Sequence, residues 1–513
     1  MPEDRSVDEE TQPESVLLLH TWTSRRTREV AASSGALISK NWVLTHGSSV
    51  EGCLATCPKT LKLISNLESG HLVLAKEEIA EESTFRVIRE ELKNPETNLE
   101  EESALLEREG VIAAAWRCPL LKDTLDDDFR GWKVGNETRY TKKLLPVFLL
   151  IKLEKTADVE PSTIQKVLRN LSRKMVYPGR GSLVEVESTP FGNPVFIGSV
   201  GVGVVSKILG SKGSILLTDA IAYPSSVGGP VYVSGANRSI CGMVIASSTS
   251  YDGERVDFTL VANLSPCLRQ VTGLDLADEQ SVDSRLYDLA ERSVVVVRCG
   301  SDWGSGILLC KETGTILTCS HVVKKAPGRR IRVTLRRSLR GRSSSSAVAR
   351  LVYRTTYNKP YDVAILRVDP EETQDPLLRN MNTASGPVLR GEPVALVGFP
   401  LFPSTEPTIS RGYVSRVSWC MVQTSCCVQS GTSGGPVIRW STGEMIGMMV
   451  SNVRSDSGLY PHLNMAIPVS VLSGPLGRYL KTGDTDPLKL LECDDAIIRR
   501  AWDLHQPPPS AKL

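Results

Sequence analysis

Gln429-Ser430-Gly431-Thr432-Ser433-Gly434-Gly435-Pro436 sets one hydroxyl inside a glycine-rich bend. Small neighbours let a carbonyl approach such a hydroxyl closely, and the bend leaves backbone N–H groups facing it. A serine in a glycine-rich turn is more often only a turn residue, so the reading depends on partners elsewhere in the chain. Leu317-Thr318-Cys319-Ser320-His321-Val322-Val323 ends a β-rich run with a histidine, and a serine hydroxyl attacks well only when an imidazole takes its proton. Tyr361-Asp362-Val363-Ala364-Ile365-Leu366 places a carboxylate at the mouth of an apolar strand, where it can hold the imidazole tautomer and stabilise the imidazolium. Each of the three has an ordinary structural reading. Together they stand in the order His, Asp, Ser at spacings of 41 and 71 residues.

The framework around them is written twice. Ser305-Gly306-Ile307-Leu308 and Gly314-Thr315-Ile316-Leu317-Thr318 read as two β runs joined by a hairpin turn at Lys311 to Gly314. Ser34-Gly35-Ala36-Leu37 and Trp42-Val43-Leu44-Thr45 repeat this with a turn two residues shorter. Gly434-Gly435-Pro436-Val437 recurs as Gly228-Gly229-Pro230-Val231, and Met465-Ala466-Ile467-Pro468 pairs with Phe258-Thr259-Leu260-Val261. The offset falls from 273 to 206 and 207, which predicts an insertion of about 58 residues plus smaller changes in the first copy, at about 65–130. From Lys76 to Glu109 there are 12 Glu against five Lys or Arg, and the sparse apolar residues predict an exposed loop or helical excursion. The expected organisation is 1–277 for the first copy, 278–288 for a linker, 289–482 for the second copy and 483–513 for a tail.

Length and composition fit this. At 513 residues, with 41% apolar and 23% charged, the chain has material for two to four cores. Sixty Lys plus Arg against 58 Asp plus Glu give a formal charge of +2, so no global field gathers nucleic acid or acidic lipid. The apolar runs are too short to cross a bilayer, and the acidic opening Met1-Pro2-Glu3-Asp4 is unlike a secretory leader. Twelve Cys occur without a CxxC pair; Cys53 and Cys57 stand too far from other ligands for zinc. No cofactor or metal is implied.

The assembled pattern resembles the chymotrypsin-fold serine proteases, whose two β-barrels supply His and Asp from the first and Ser from the second. Gly304-Ser305-Gly306, Ile316-Leu317-Thr318 before His321, and Gly431-Thr432-Ser433-Gly434-Gly435-Pro436 are most similar to the Deg/HtrA branch. The resemblance implies an all-β, chymotrypsin-like double β-barrel protease domain, preceded here by a degenerate protease-like β-barrel half. It also implies His321, Asp362 and Ser433 as the catalytic residues, and the N–H groups of Gly431 and Ser433 as the oxyanion hole. The short stretch after Ser433 departs from the branch in leaving no room for its usual PDZ module. In the first copy, alignment puts Ser48, Val147 and Val227 at the three functional positions, with His46 two residues early. That copy is then a barrel-forming partner, a substrate-presenting surface or a homo-oligomer contact.

The closing Ala511-Lys512-Leu513 is a one-residue variant of a peroxisomal address. With the degenerate first half, it makes the chain similar to the peroxisomal leader-peptide-processing proteases. That resemblance implies a matrix enzyme that removes N-terminal leader peptides from imported peroxisomal proteins and makes limited internal cuts. It implies those proteins as substrates and the peroxisomal import receptor as a partner at the tripeptide. Self-processing within the Glu-rich stretch is a further expectation, with Trp116-Arg117-Cys118 near its end. A Deg-like quality-control protease and a non-enzymatic protease-fold scaffold are the alternatives.

Two local features bear on specificity and surface. Cys427 stands six residues before Ser433, where proteases that cut after Lys or Arg place an Asp. With Met448 and Met449 on the pocket strand, it predicts a soft, apolar pocket for small or sulfur-bearing side chains. Arg329, Arg330, Arg332, Arg336, Arg337, Arg340 and Arg342 form a basic stretch read as a solvated edge or a docking surface for acidic sequence.

Overall fold

The computed structural model describes residues 12–24, 27–92, 103–154, 159–235, 238–274, 290–326, 328–335, 346–357, 359–402, 406–455 and 458–502. The chain divides into two compact units, Met1–Asp283 and Ser284–Leu513. The expected linker lies wholly outside the described residues, as do most of the basic stretch and the C-terminal tripeptide.

Strand patterning is local and legible. Leu183–Ser188 buries Val184, Val186 and Ser188 and leaves Leu183, Glu185 and Glu187 half-exposed, the period-two rhythm of a strand with one wet face. Val294–Cys299 instead buries Val294, Val295, Val296 and Val297 in succession, because both of its faces meet apolar neighbours.

The C-terminal unit contains two closed six-stranded antiparallel barrels. Around the first of them run Val294–Cys299, Asp302–Cys310, Thr315–Thr318, Ala364–Arg367, Ser346–Arg354 and Ile331–Thr334. Around the second run Pro393–Gly398, Thr408–Ser418, Met421–Thr424, Gly458–Pro468, Met445–Ser455 and Pro436–Arg439. One apolar core joins them, from Val295, Ile307 and Ile365 to Ala395, Ile438 and Met448. A second core of Val394, Val414, Val422, Cys426, Val437 and Met449 fills the later barrel.

The N-terminal unit has the same plan in full. Glu14–Ser24, Thr27–Ser39, Trp42–His46, Val147–Lys152, Ser103–Arg117 and Ser83–Leu92 pair in a ring, each with the next and the last with the first. Leu183–Ser188, Ser199–Leu209, Ile215–Thr218, Thr259–Asn263, Ser239–Ala246 and Pro230–Val233 close a further barrel. Strand for strand, the sequence order around these rings matches the C-terminal pair.

This corrects the expected acidic loop. Ser83–Leu92 and Ser103–Arg117 are barrel staves that pair with each other over eight positions, Phe85 with Gly110 through Leu92 with Ser103. Phe85, Val87 and Ile88 are buried, and Arg86 reaches across to Glu107 at 3.1 Å on the outer face. Outward charge on alternate positions dilutes the apolar count without abolishing the inward face. The extra length of the first copy is spread through short connecting elements, including the helices Pro58–Ser65, Pro119–Asp128 and Thr141–Leu144. Residues 93–102 lie outside the described residues. Trp116 and Cys118 are buried, and the Arg117 guanidinium donates to the Leu67 and Ile64 carbonyls at 3.0 and 3.2 Å. That stretch is therefore not an open cleavage site.

Two smaller corrections follow from register. Met449 pairs with Ala466, and Val244, in the corresponding place, pairs with Val261. Val261 thus occupies the place of Ala466, and the third internal match shifts by two residues. The tail also begins later than expected. After the helix Val469–Thr482, the segments Asp486–Leu491 and Ala496–Trp502 bury Leu488, Leu491 and Ile498 in the shared core. The Trp502 indole donates to the Cys420 carbonyl at 3.2 Å and meets the Tyr361 ring edge-on at 6.0 Å. Trp502→Ala should remove that edge contact and its indole hydrogen bond at a cost of about 2 kcal/mol, read as a lower urea midpoint for the C-terminal unit. An unchanged midpoint would show that residues 484–502 are peripheral.

Candidate active site

His321 opens a single 3₁₀ turn, His321–Val323, after Cys319 and Ser320 leave the strand Thr315–Thr318. Asp362 stands two residues before the strand Ala364–Arg367, which pairs with Thr315–Thr318. Thr355 fixes the approach to that strand. Its backbone N–H donates to the Val363 carbonyl at 2.9 Å, and its hydroxyl accepts from the Val363 N–H at 3.0 Å. Asp362 is delivered to His321 from both sides: Oδ1 accepts the His321 backbone N–H at 3.0 Å, and Oδ2 bonds Nδ1 of the ring. With Nδ1–H held by a carboxylate, Nε2 is the ring atom left with a lone pair.

Ser433 arrives from the later barrel. Its carbonyl accepts the Ser305 N–H at 2.8 Å. Gly434 lies so close to the earlier barrel that a Cβ there would stand 2.2 Å from the Ser305 carbonyl oxygen and 3.2 Å from the Cys319 nitrogen, at a φ of +86°. Only glycine fits. The hydroxyl-bearing turn is thereby held against the strand end that carries Cys319-Ser320-His321.

The amides of the turn divide cleanly. Thr432 N–H donates to Gln429, Gly434 N–H to Met449 and Gly435 N–H to Thr432. Among the described residues, the N–H groups of Gly431 and Ser433 donate to nothing. Gly431 has a φ of +99°, and its carbonyl is drawn away by the Ser305 hydroxyl at 2.9 Å. Two unspent donors flanking one hydroxyl make a concentrated site for developing negative charge on oxygen.

Cys427 is buried, and its N–H donates to the Ser410 hydroxyl at 2.6 Å. Asn452 Nδ2 donates to the Val428 carbonyl at 3.2 Å and so ties the Met445–Ser455 strand to the stretch after Cys427. Met448 and Met449 do not act as one surface. Adjacent strand residues face opposite ways: Met448 belongs to the core shared by the two barrels, and Met449 packs with Cys426 and Val428.

The first copy keeps the framework and lacks the groups. Ser34 repeats Ser305: its N–H donates to the Val227 carbonyl at 3.0 Å, and its hydroxyl donates to the Ser225 carbonyl at 2.9 Å. Val227 thus sits where Ser433 does. Val147, fully buried, stands two residues before Leu149, the partner of Thr45, as Asp362 stands two residues before Ala364, the partner of Thr318. His46 is turned inward, with Nε2–H donating to the Leu145 carbonyl and Nδ1 accepting from the Ser48 hydroxyl, both at 2.8 Å.

Residues 304–448 match the family model described as Trypsin-like peptidase domain. The C-terminal unit carries a trypsin-like peptidase domain. The chain is 29% identical over 373 residues to the peroxisomal leader peptide-processing protease of Homo sapiens, covering 65% of this chain and 62% of that protein. It is 30% identical over 359 residues to the Mus musculus protein of the same name, covering 63% of this chain and 61% of that one. The chain thus spans less than two thirds of the length of these relatives. The solved serine endoprotease from Yersinia pestis is 22% identical, with a TM-score of 0.32 over 40% of this chain and 69% of that chain. The resemblance read from the sequence to chymotrypsin-fold proteases holds for the peptidase domain, whose matched span contains His321, Asp362 and Ser433. Sequence reasoning missed Thr355 and Ser305 as the groups that position Asp362 and the serine turn. A lone hydroxyl residue in or beside a strand carries no pattern of its own.

Burial pushes the His46 imidazole down to about 4 from near 6.5, and its Leu145 contact opposes this only in part. In the unfolded chain the ring protonates near 6.5, so falling pH draws the equilibrium toward unfolding between about 6.5 and 4. His46 alone accounts for up to about 3 kcal/mol over that window. The urea midpoint of the N-terminal unit should therefore fall from pH 7 to pH 4.5, and His46→Gln should flatten the fall. An equal slope in the variant would remove His46 as its cause.

Proposed function

We propose that the chain is a serine endopeptidase acting through His321, Asp362 and Ser433. The observation that carries this reading is the doubly held Asp362–His321 pair beside a serine turn whose Gly431 and Ser433 amides are unspent. In the reaction, His321 Nε2 takes the proton from Ser433 Oγ as that oxygen bonds to a peptide carbonyl carbon. The carbonyl oxygen becomes an oxyanion within reach of the Gly431 and Ser433 N–H groups. Asp362 keeps Nδ1–H oriented and stabilises the imidazolium. The C–N bond then breaks, the imidazolium gives its proton to the leaving amine, and an acyl-serine remains. A water molecule, deprotonated by Nε2, releases the acid and restores Ser433.

Similarity to the two relatives named for leader peptides supports a peroxisomal setting and protein substrates bearing such leaders. Ala511-Lys512-Leu513, outside the described residues, is the element an import receptor would read. The first copy, with Ser48, Val147 and Val227 at the functional positions, acts as a non-catalytic partner domain, and any self-cleavage falls outside Trp116-Arg117-Cys118. Among the described residues, no helix is long and apolar enough to cross a membrane. With Cys427 in place of a carboxylate, a basic side chain entering the specificity pocket lacks a counter-charge.

A fluorophosphonate probe should label wild-type chain at Ser433, with labelling abolished in Ser433→Ala and reduced at least a hundredfold in His321→Ala. No labelling of wild type would leave a protease-fold scaffold. Peptides with small apolar or Cys residues before the scissile bond should be cleaved at least tenfold faster than Lys or Arg counterparts. Equal turnover would refute the apolar pocket.

A further inference from the structure

Cys319 is a buried thiol beside the proposed catalytic pair that the reaction does not use. One ligand atom each from Cys319, His321 and Asp362 lie within 4.8 Å of one another. Cys319 is fully buried, and its thiol donates to the Met449 carbonyl at 3.3 Å. His321 and Asp362 keep 40% and 22% of their side-chain surface in solvent, so the cluster is closed behind and open in front. A thiolate, an imidazole and a carboxylate are three of the ligand types zinc takes in four-coordinate sites. Ligand atoms on one tetrahedral ion stand about 3.3–3.8 Å apart at zinc's usual bond lengths, a spacing within the 4.8 Å that spans these three atoms.

We propose that Cys319, His321 and Asp362 form a zinc-binding site whose occupation switches the peptidase off. This rests on the assignment of His321 as the base. The ion takes the Nδ1 lone pair that the Asp362-held proton now covers. That proton moves to Nε2, the thiol proton passes to solvent, and water fills the fourth position on the open side. Zn²⁺ with one thiolate and one carboxylate is formally neutral, which suits a half-buried setting. An imidazole protonated at Nε2 and metallated at Nδ1 has no lone pair left for the Ser433 proton. Inhibition is then a tautomer lock, with substrate access unobstructed. The first copy offers no equivalent, since Val147 stands in place of the carboxylate and His46 is already bonded at both nitrogens.

The test separates the metal site from the peptidase reading by measuring binding in chain that cannot cleave. Full-length Ser433→Ala should take up one equivalent of Zn²⁺ in competition with a chromogenic chelator. Adding Cys319→Ala or the near-isosteric Cys319→Ser should weaken that binding at least tenfold. In chain with Ser433 intact, Zn²⁺ should inhibit peptide cleavage reversibly on EDTA addition, and either Cys319 variant should raise the inhibition constant at least tenfold. The inhibition constant is read relative to each variant's own uninhibited rate. Equal zinc affinity and equal inhibition with and without the thiol would overturn the proposal. Thiol-dependent zinc uptake together with no cleavage by the wild-type chain would support the ion site, overturn the switch and refute the peptidase assignment.

Discussion

The serine turn depends on one side chain that does no chemistry. Ser305 makes three backbone-directed bonds: its N–H to the Ser433 carbonyl, its hydroxyl to the Gly431 carbonyl, and acceptance of the Phe399 N–H at 3.0 Å. Its own carbonyl accepts the Thr318 hydroxyl at 2.7 Å. A strand of one barrel is thus stitched to the turn of the other and to the strand end leading to His321. All of these groups are wholly or partly buried, where an unmade hydrogen bond costs about 1–3 kcal/mol per group. The stitch sets the turn's geometry more tightly than packing alone, because hydrogen bonds specify direction as well as distance.

The first copy shows that this framework is separable from the chemistry it holds. Ser34 makes the corresponding bonds to Val227, Ser225 and Thr189, and Thr45 repeats the Thr318 bond to the Ser34 carbonyl at 2.8 Å. Gly228 keeps the left-handed φ of Gly434, +89° against +86°. What has gone is the set of groups that would be costly to bury without a task. An ionised carboxylate at the place of Val147, fully enclosed and without a partner imidazole, would be strongly destabilising. A retained framework without those groups is therefore the expected combination in this unit.

Much of this was legible in the chain because the informative residues sit beside short, strongly patterned elements. The His, Asp and Ser stretches each border an apolar run, and Gly-Gly-Pro marks the turn in both copies. The Glu-rich staves read as a loop because the inward residues Phe85 and Val87 are few among outward charges. Closure of the ring by Ser103–Arg117 is a long-range pairing that no local window contains. The tail was misread for the opposite reason: Leu488, Leu491 and Ile498 look sparse in sequence, yet all point into one existing core. Met448 and Met449 share the strand that the sequence assigns to the pocket, yet strand alternation separates neighbours.

The residue two positions before His321 shows how far the copies have moved apart. Cys319 and His46 each follow directly on the matched Thr318 and Thr45. A histidine at 319 would be a second imidazole beside Asp362, competing for the carboxylate that must hold Nδ1 of His321. In the first copy that competition is absent, because Val147 leaves no carboxylate to compete for. His46 instead finds the Leu145 carbonyl and the Ser48 hydroxyl, which fix it as a neutral, inward ring. Restoring a base at position 48 alone would not rebuild a working pair. The incoming imidazole would meet an apolar Val147 and displace the hydroxyl on which His46 depends.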